Sequence, residues 1–507
     1  MRLSSPLHAA DRAAGRLRDA LTDPARRERN VLLALVAYAL LWTLYGTIAK
    51  GSQGLHPDMT ELIAWSRDLS LGYLKHPPLA AWIVALWFGV LPLAEWSYYG
   101  LAMLMPTVAL WFAWRLSADT LDVEKRLVGL ALLTLIPFFN FHALKFNVNT
   151  VLMPVWAATT FWFLRSYQTR SALYAVLAGI GAAAGMLGKY WSVFLLAGLF
   201  VAALIDQRRG LYFRSAAPWI TVAAGLIVLG PHLVWLAQHD FAPFGYAVGI
   251  HGAKPFVVAL KAALSYFAGS LGYVAIPLIV VLATVRPSRA ALADIAWPIE
   301  PERRLAAAAF WAPFLLPALG ALASGTEITS LWSMPAWTLL PVLLLSSPAL
   351  TVSAIDTRRM LGLALVVPLV VLLAAPVIAI NVQHSGPAPA AAHAQELAAE
   401  IERAWHELTP LPLRFVDGDP DIAYGVSAYA LGRPRALPGM PAPSAAELAR
   451  SGVVLVCFAD DAGCRGAAAA RVTGIAGSRT IETEIVRNYL RWPGQPRRYT
   501  IVILPPR

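Results

Sequence analysis

The apolar run VLLALVAYALLWTLYGTIA occupies residues 31–49 and contains no charged side chain. A membrane-spanning helix needs roughly 20 consecutive apolar residues, so this run is long enough to cross a bilayer. It follows residues 1–29, which are polar and rich in arginine. Basic residues beside a first span indicate a cytoplasmic N-terminus. Because no small-residue cleavage site follows, we interpret the run as an uncleaved span rather than a signal peptide.

The composition extends this interpretation to the whole chain. Of 507 residues, 58% are hydrophobic and 14% are charged, whereas soluble domains are about 45–50% apolar and about 25% charged. The net charge of +11 comes largely from short basic runs between apolar segments, which membrane topology explains better than nucleic-acid binding. No zinc-finger, Walker or dinucleotide-binding pattern is present, so we expect no nucleic-acid partner.

Ten further apolar runs follow the first. They lie near residues 97–114, 126–140, 151–165, 172–187, 191–205, 217–236, 259–285, 304–323, 333–346 and 361–381. Together with the first run they predict about eleven transmembrane helices, with eleven to thirteen open. The basic loops support this layout, because those that carry most of the loop Lys and Arg all fall on the cytoplasmic side. These loops are residues 115–126, 165–170, 206–214, 286–304 and 356–359.

One apolar segment, residues 78–92, is too short for a full span. Counting it as a crossing would place the later basic loops outside the cytoplasm. We therefore predict an interfacial or re-entrant helix on the outer face, although a missed partner span would also restore the parity.

The C-terminal region differs in composition from the rest of the chain. Residues 384–393 are rich in Pro and Ala, as in a linker. Beyond them, residues 396–408 have the pattern of an amphipathic helix, and residues 453–458 and 499–504 have that of short strands. The sequence thus predicts a basic cytoplasmic N-terminus (1–29), a transmembrane domain (30–383) with its first outer loop at 50–96, and a small extracytoplasmic α/β domain (384–507).

The two cysteines, Cys457 and Cys464, lie in this C-terminal domain. A local disulfide is compatible with an extracytoplasmic location. Two unpaired thiols fit the spacing equally well, and a metal pair is disfavoured because no histidine lies near.

Four polar clusters interrupt the apolar chain, and all four fall at the outer ends of their predicted spans. The first runs from HPDMTE at residues 56–61 to LKHPP at 74–78, and the others are KFNVN at 145–149, GKYW at 188–191 and PHLVWLAQHD at 231–240. Ionisable groups near membrane depth are costly and usually mark a site or pathway. Each cluster alone could be a solvated loop, but their convergence on one face predicts a single site.

The side chains of these clusters suit group transfer from an anionic donor. A carboxylate such as Asp58 or Glu61 can accept a proton from an attacking hydroxyl or amine. Cationic side chains can bind a phosphate and stabilise the charge that it gains on leaving. A divalent metal could do the same, but the spacing assigns none. An isolated aspartate is more often a turn former or helix cap, so composition alone does not select Asp58.

The first cluster resembles the first outer loop of the GT-C glycosyltransferases. The resemblance lies in HPDMTE at 56–61, Trp65-Ser66, Gly72-Tyr73 and KHPPL at 75–79. The branch that it resembles is the bacterial family 39 proteins, related to protein O-mannosyltransferases and lipid A aminoarabinose transferases. The third and fourth clusters are similar to this branch as well, so the resemblance covers roughly residues 30–250.

This resemblance implies a many-span fold with juxtamembrane helices in the first outer loop, and often a soluble domain. It also implies transfer of a sugar from a polyprenyl phosphate to an acceptor at the outer face, with inversion. Asp58 matches the loop aspartate taken as the catalytic base or as a metal-linked carboxylate, with Glu61 as substitute. Trp65 and Trp191 could stack on a sugar, although interfacial tryptophans need no such role. The expected donor-phosphate ligands are Lys75, His76, Lys189 and His232, and the expected sugar or acceptor ligands are Lys145, Asn147, Asn149, Tyr190 and His239.

The sequence also departs from the family pattern. Met59 stands where many members have Glu, and Asn147 and Asn149 stand where many bacterial relatives have Asp. Metal dependence and the identity of the sugar therefore stay open.

Two other classes of function remain as alternatives, a multi-span transporter or flippase of envelope lipids and a non-catalytic envelope scaffold. Transporters usually show repeated halves and broken helices near the midplane, and no repeat is visible here. Under the glycosyltransferase hypothesis the chain lies in a bacterial inner membrane with its C-terminal domain in the periplasm. Its partners are membrane lipids, a polyprenyl-phosphate sugar donor and an acceptor that is lipid A, another envelope glycan, a lipid or a protein.

Overall fold

The computed structural model describes residues 6–252, 254–385, 393–472, 475 and 477–507, with the side chains of 6–10 and 385 excepted. Most of the predicted linker at 384–393 therefore lies outside the described residues. The chain forms two compact units. One comprises residues 1–43 and 100–372, and the other comprises residues 44–99 and 373–507.

Helices account for most of the part of the chain that is described. The α-helices are α1 (Pro6–Thr22), α2 (Arg27–Ala49), α3 (Pro57–Ser66), α4 (Leu79–Val90), α5 (Glu95–Leu116), α6 (Val123–Leu135), α7 (Val148–Thr169), α8 (Ala172–Gly188), α9 (Val193–Ile205), α10 (Arg209–Phe213), α11 (Ala217–Gln238), α12 (Ala242–His251), α13 (Phe256–Val285), α14 (Arg289–Ala296), α15 (Pro301–Ser324), α16 (Leu340–Leu345), α17 (Ala354–Ser385), α18 (Ala394–His406), α19 (Pro420–Tyr429), α20 (Ala445–Ser451) and α21 (Ala462–Val472). Short 3-10 helices occupy Pro137–Phe139, Tyr190–Ser192 and Ser330–Leu339.

Each of the eleven predicted spans coincides with a helix. They correspond to α2, α5, α6, α7, α8, α9, α11, α13, α15, the 3-10 helix leading into α16, and α17. Among the described residues, five helices are long and apolar enough to cross a membrane alone: α2, α11, α13, α15 and α17. The protein is therefore a multi-span membrane protein. The other six segments are shorter or more polar, so a total of eleven to thirteen crossings stays a prediction.

Close helix packing in the first unit depends on glycines. At Gly179 in α8, a Cβ atom would run into the backbone of α11 at Thr221 and Gly225. At Gly198 in α9, a Cβ atom would meet the ring of Pro313 in α15 at 2.5 Å. Small residues let helix backbones approach closely where lipid offers no hydrophobic driving force. The sequence of α8, AGIGAAAG at 178–185, is rich in such residues.

The short apolar segment at 78–92 forms α4, Leu79–Val90, as predicted. At 1.5 Å per residue its 12 residues are too few for a bilayer core of about 30 Å. Its position at a membrane interface stays a prediction.

The second unit contains a five-stranded sheet. The strands are β1 (Phe415–Gly418), β2 (Arg435–Ala436), β3 (Val453–Phe458), β4 (Arg479–Ile485) and β7 (Arg497–Leu504), with a separate hairpin of β5 (Asn488–Tyr489) and β6 (Trp492–Pro493). The sheet order is β2-β1-β3-β7-β4. The first three strands are parallel, and β7 runs antiparallel to both β3 and β4.

Both faces of this sheet are covered, as alternating side chains require. On one face, Val454, Val456 and Ile503 pack with residues of α18 and α19. On the other face, Val453 and Leu455 pack in a smaller cluster that includes α21. The predicted amphipathic helix and the two predicted strands appear as α18, β3 and β7, so the small α/β domain is confirmed.

The two cysteines of this domain are joined. A disulfide links Cys457 in β3 to Cys464 in α21, which decides between the alternatives that the spacing left open.

The first outer loop folds with the C-terminal residues. Residues 50–96 were expected to be an outer loop of the transmembrane domain, and in the structure residues 44–99 belong to the same compact unit as residues 373–507. The physical reason is apolar burial, since Ala64 of α3 is part of the hydrophobic core formed by α18, α19 and the sheet. A hydropathy pattern cannot reveal a contact between segments more than 300 residues apart.

Candidate active site

The helix that carries Asp58 begins with a recognisable local signal. His56 has extended backbone angles at the N-cap of α3, and its Nδ1 accepts a hydrogen bond of 3.1 Å from the backbone N–H of Asp58. Pro57 follows at the first helical position, where its missing N–H costs nothing. Asp58 lies in the first turn, where the helix dipole stabilises a carboxylate. Its side chain is 31% exposed, so it is accessible to a substrate while it is fixed by the helix.

Glu61 lies one turn further along α3 and is buried. Its carboxylate accepts hydrogen bonds from Lys75 Nζ at 3.0 and 3.3 Å. Burial raises the pKa of Glu61 to about 7, while the charge of Lys75 acts to lower it and the nearby carboxylates of Asp58 and Asp421 raise it further. Two predicted site residues are thus brought together, the expected donor-phosphate ligand Lys75 and the expected substitute base Glu61.

The tryptophan of this loop has a structural position. Trp65 is 1% exposed, and its ring stacks on Tyr73 with 4.8 Å between the ring centroids. The Tyr73 hydroxyl donates to the Trp65 carbonyl at 3.0 Å, and the ring of His76 lies edge-on to Trp65 at 6.2 Å. Since both its burial and its stacking partner come from the protein, Trp65 has no free face for a sugar.

In the other unit, a side-chain hydrogen bond joins the second and third clusters. Lys189 caps the C-terminus of α8, and its Nζ donates to Asn149 Oδ1 at 3.0 Å. The same ammonium lies 4.1 Å from the ring centroid of Trp332, within the range of a cation–π interaction. Trp191 donates its indole N–H to the Trp332 carbonyl at 3.1 Å. A lysine, an amide and two aromatic rings therefore meet here.

Asn147 serves first as a helix cap. Its side-chain oxygen accepts hydrogen bonds from the backbone N–H groups of Asn149 at 2.9 Å and Thr150 at 3.3 Å, at the start of α7. Lys145 lies in the preceding turn, where its carbonyl accepts from the Thr150 hydroxyl. The capping role accounts for an asparagine at 147 without a substrate, whereas Asn149 contributes its side chain to the lysine.

The fourth cluster contributes a buried histidine. His232, on α11, is 2% exposed, and its Nε2 lies 3.1 Å from the Tyr190 hydroxyl. His239, at the end of the same helix, is exposed, and its Nδ1 lies 2.8 Å from the carbonyl of Trp235, on which it stacks. Tyr190 and His232 are thus brought together, while His239 contacts Trp235 of its own helix.

Metal ligation has limited support in the described residues, since they contain no group of three or more His, Cys, Asp or Glu side chains that could hold a metal ion. The nearest pair in α3 is His56 and Asp58, with 3.8 Å between Nδ1 and Oδ1. A divalent cation at this pair would have to complete its coordination with water or with a substrate phosphate, as Mg²⁺ commonly does.

Four residues that sequence reasoning did not select as site residues take part in these arrangements. Trp332 lies beside Lys189, and Asp421 lies beside Glu61. Arg67 and Tyr429 hold α3 from either end. Two of the four carried a signal in the sequence. Arg67 lies in the first polar cluster, and Trp332 lies in the Trp-rich stretch SLWSMPAW at 330–337, which is equally typical of a span end.

The chain is similar to known proteins over part of its length. The sequence model of the dolichyl-phosphate-mannose-protein mannosyltransferase family matches residues 75–235. The lipopolysaccharide core galacturonosyltransferase RgtB of Rhizobium johnstonii is 30% identical over 228 residues, which are 44% of this chain and 45% of that protein. The lipid A galacturonosyltransferase RgtD of the same organism is 26% identical over 228 residues, 43% of this chain and 46% of that protein. The matched segment thus spans less than half the length of these relatives.

A solved structure matches nearly the whole chain. ArnT from Cupriavidus metallidurans, bound to undecaprenyl phosphate, aligns with a TM-score of 0.58 over 93% of this chain and 97% of that chain, at 12% identity. The chain has an ArnT-like fold. The expected many-span helical fold with a small C-terminal sheet domain is therefore confirmed, and the family model and the two galacturonosyltransferases support the expected GT-C resemblance.

Proposed function

We propose that this protein is an integral-membrane glycosyltransferase. It moves a sugar from a polyprenyl-phosphate donor to a lipid A or lipopolysaccharide-core acceptor at the periplasmic face of a bacterial inner membrane. The donor class follows the ArnT complex with undecaprenyl phosphate, and the acceptor class follows the names of the two galacturonosyltransferases. A galacturonosyl donor is accordingly the first sugar to test.

The observation that carries this proposal is the construction of α3 on a GT-C fold. Asp58 is part-exposed in the first turn, where its backbone N–H donates to the ring Nδ1 of His56. Lys75 lies beside the same helix through its pairing with Glu61. A fixed carboxylate with a cation nearby is the minimum that acid–base group transfer from an anionic donor requires.

The reaction would run as one displacement at the anomeric carbon. The acceptor hydroxyl gives its proton to Asp58 as its oxygen forms a bond to that carbon. The bond from the anomeric carbon to the phosphate oxygen breaks, and its electron pair leaves with the polyprenyl phosphate. A lysine ammonium group stabilises the negative charge that gathers on the leaving phosphate, and Lys75 and Lys189 are each candidates for this role.

The segment matched by the mannosyltransferase family supports the remaining assignments. This segment contains Lys75, Lys189 and the pair Tyr190–His232. In this proposal Asn149 and Tyr190 act on the sugar, and the buried His232 orients the Tyr190 hydroxyl. His239 is the weakest of the candidates, since its contacts lie within α11 and it is exposed.

The test compares Asp58→Asn with the parent protein in a host strain whose own gene is deleted. Mass spectrometry of lipid A and core oligosaccharide is the measurement, at matched protein levels in the membrane. Asp119→Asn is the matched control, because that carboxylate is exposed and forms an ion pair of 2.9 Å with Arg165. We expect the parent and the control to restore the missing sugar and Asp58→Asn to leave it absent.

Two results would contradict the proposal. If Asp58→Asn restores the sugar fully, Asp58 is not the base. If the deletion strain shows no change in any glycan and no envelope lipid of lower mass, the transferase assignment fails. The transporter and scaffold alternatives then return.

A further inference from the structure

The C-terminal domain packs directly on the helix that carries Asp58. Ala64 of α3 is 8% exposed and shares a hydrophobic core with Ile422 and Val426 of α19. Asp421, near the start of α19, is close enough to Glu61 to raise the pKa of that carboxyl. This domain is therefore part of the environment of the loop rather than a separate module.

One hydroxyl group connects the domain to the start of α3. Tyr429 Oη, at the end of α19, accepts a hydrogen bond of 2.9 Å from the backbone N–H of Leu55. The same hydroxyl donates its proton to Glu95 Oε1 at 2.6 Å. The hydroxyl thus uses both its acceptor and its donor capacity, and burial raises the pKa of Tyr429 well above its usual value, so it stays protonated.

The position of Leu55 determines where α3 begins. Leu55 immediately precedes His56, the N-cap whose ring accepts the backbone N–H of Asp58. The Leu55 N–H that donates to Tyr429 is separated from Pro57, the first residue of α3, by only two peptide units. Movement at Leu55 would therefore displace the carboxylate of Asp58 with the first turn.

The far end of α3 is held by the same domain. Arg67, at the C-cap, donates to the Ser427 carbonyl at 2.7 Å, and Asp68 forms an ion pair of 2.6 Å with Arg435. Because α19 supplies both Ser427 and Tyr429, one helix of the C-terminal domain fixes both ends of α3. Burial and the neighbouring Arg433 lower the pKa of Arg67 to about 10, so it is still charged at neutral pH.

We propose that Tyr429 is a positioning residue for the transfer reaction, which holds the start of α3 through Leu55 and so sets the place of Asp58. This inference rests on the proposed function, in which Asp58 accepts the acceptor proton. Tyr429 touches no substrate in this scheme. Its contribution is geometric, and misplacing a catalytic group by about 1 Å can cost about 100-fold in rate.

The experiment uses the full-length protein in detergent with Tyr429→Phe, which removes the bridging hydroxyl and keeps the ring. Tyr424→Phe is the matched control. It removes a buried hydroxyl from the same helix, one that donates to the Pro438 carbonyl at 2.7 Å within the domain. Steady-state transfer is measured against donor concentration, and amide hydrogen exchange is measured on peptides covering residues 50–66.

We expect Tyr429→Phe to lower kcat by about 10- to 100-fold with donor KM changed less than about 2-fold, because the phosphate ligands are untouched. Exchange at the start of α3 should rise in this variant and not in Tyr424→Phe. A kcat equal to the parent's, or an equal loss in both variants, would overturn the proposal. If the parent itself transfers no sugar, the proposed function has failed. In that case the amide hydrogen exchange still tests the contact. Unchanged exchange at residues 50–66 in Tyr429→Phe would show that Tyr429 does not position the start of α3.

Discussion

Replacing Glu61 by glutamine should remove a pH dependence of stability that the parent protein shows between pH 5 and pH 8. Burial raises the pKa of Glu61 from 4.5 to about 7, so between those values the folded chain binds a proton that the unfolded chain releases. The resulting stabilisation is fully present below pH 4.5 and is lost as pH rises through 7. The variant carries no such proton, so its stability should not fall in this range.

The size of the effect follows from the two pKa values. A difference of about 2.5, at about 1.4 kcal/mol for each pKa unit, corresponds to a loss of about 3 kcal/mol when the parent is taken from pH 4.5 to pH 8.5. The side chain of Glu61 is only 10% exposed, so solvent screening reduces this little. In a domain of 150–250 residues about 1 kcal/mol moves the melting temperature by about 2–4 °C. Between pH 4.5 and pH 8.5 the melting temperature of the parent should thus fall by about 6–12 °C relative to that of Glu61→Gln.

The assay is thermal unfolding of the detergent-solubilised protein, followed by tryptophan fluorescence from pH 5 to pH 8.5. Glu482→Gln is the control, because this carboxylate is 68% exposed on β4. We expect the parent and the control to lose stability together as pH rises, and Glu61→Gln to stay level. Parallel curves for all three proteins would show that another group titrates and that the burial argument for Glu61 is wrong.

Three further outcomes test other parts of the structure. Lys189→Met should raise the donor KM at least about 10-fold in transfer assays, because one charge-assisted contact to the phosphate is lost. An unchanged KM would show that Lys189 does not bind the donor. Gly179→Ala would force a Cβ atom into the backbone of α11 and should lower the free energy of unfolding by about 1–3 kcal/mol. Gly230→Ala, where the Cβ meets open space, should not, and equal melting temperatures for the two variants would contradict the close packing of α8 on α11. Reduction of the Cys457–Cys464 disulfide should cost about 2 kcal/mol, given its short loop, and a melting temperature unaffected by reductant would refute this.

The sequence was informative wherever a local pattern reports a local environment. Every predicted span coincides with a helix, because apolar runs record the lipid or core around them over 15 to 20 neighbouring residues. The short apolar runs at 453–458 and 499–504 predicted β3 and β7 for the same reason. The start of α3 is also local, since His56, Pro57 and Asp58 form its cap and first turn.

The candidate site could be predicted only in part, because its contacts join distant segments. Lys75 reaches Glu61 across 14 positions, and Lys189 reaches Asn149 across 40. Sequence reasoning named all four residues but not their pairing, and so assigned Lys75 to a phosphate without its carboxylate partner. It also offered Trp65 to a sugar, whereas the structure buries that ring against Tyr73.

By itself, then, the sequence determined that this is a many-helix membrane protein with a small C-terminal α/β domain and a polar loop after the first span. Hydropathy and periodicity suffice for this, because they depend on which solvent each stretch of chain meets. Only the tertiary structure decided that residues 44–99 fold with the C-terminal part and that Tyr429 bonds to Leu55, 374 positions away. Such contacts depend on the path of the whole chain, and a side chain's type carries no record of the distant partner that will bury it.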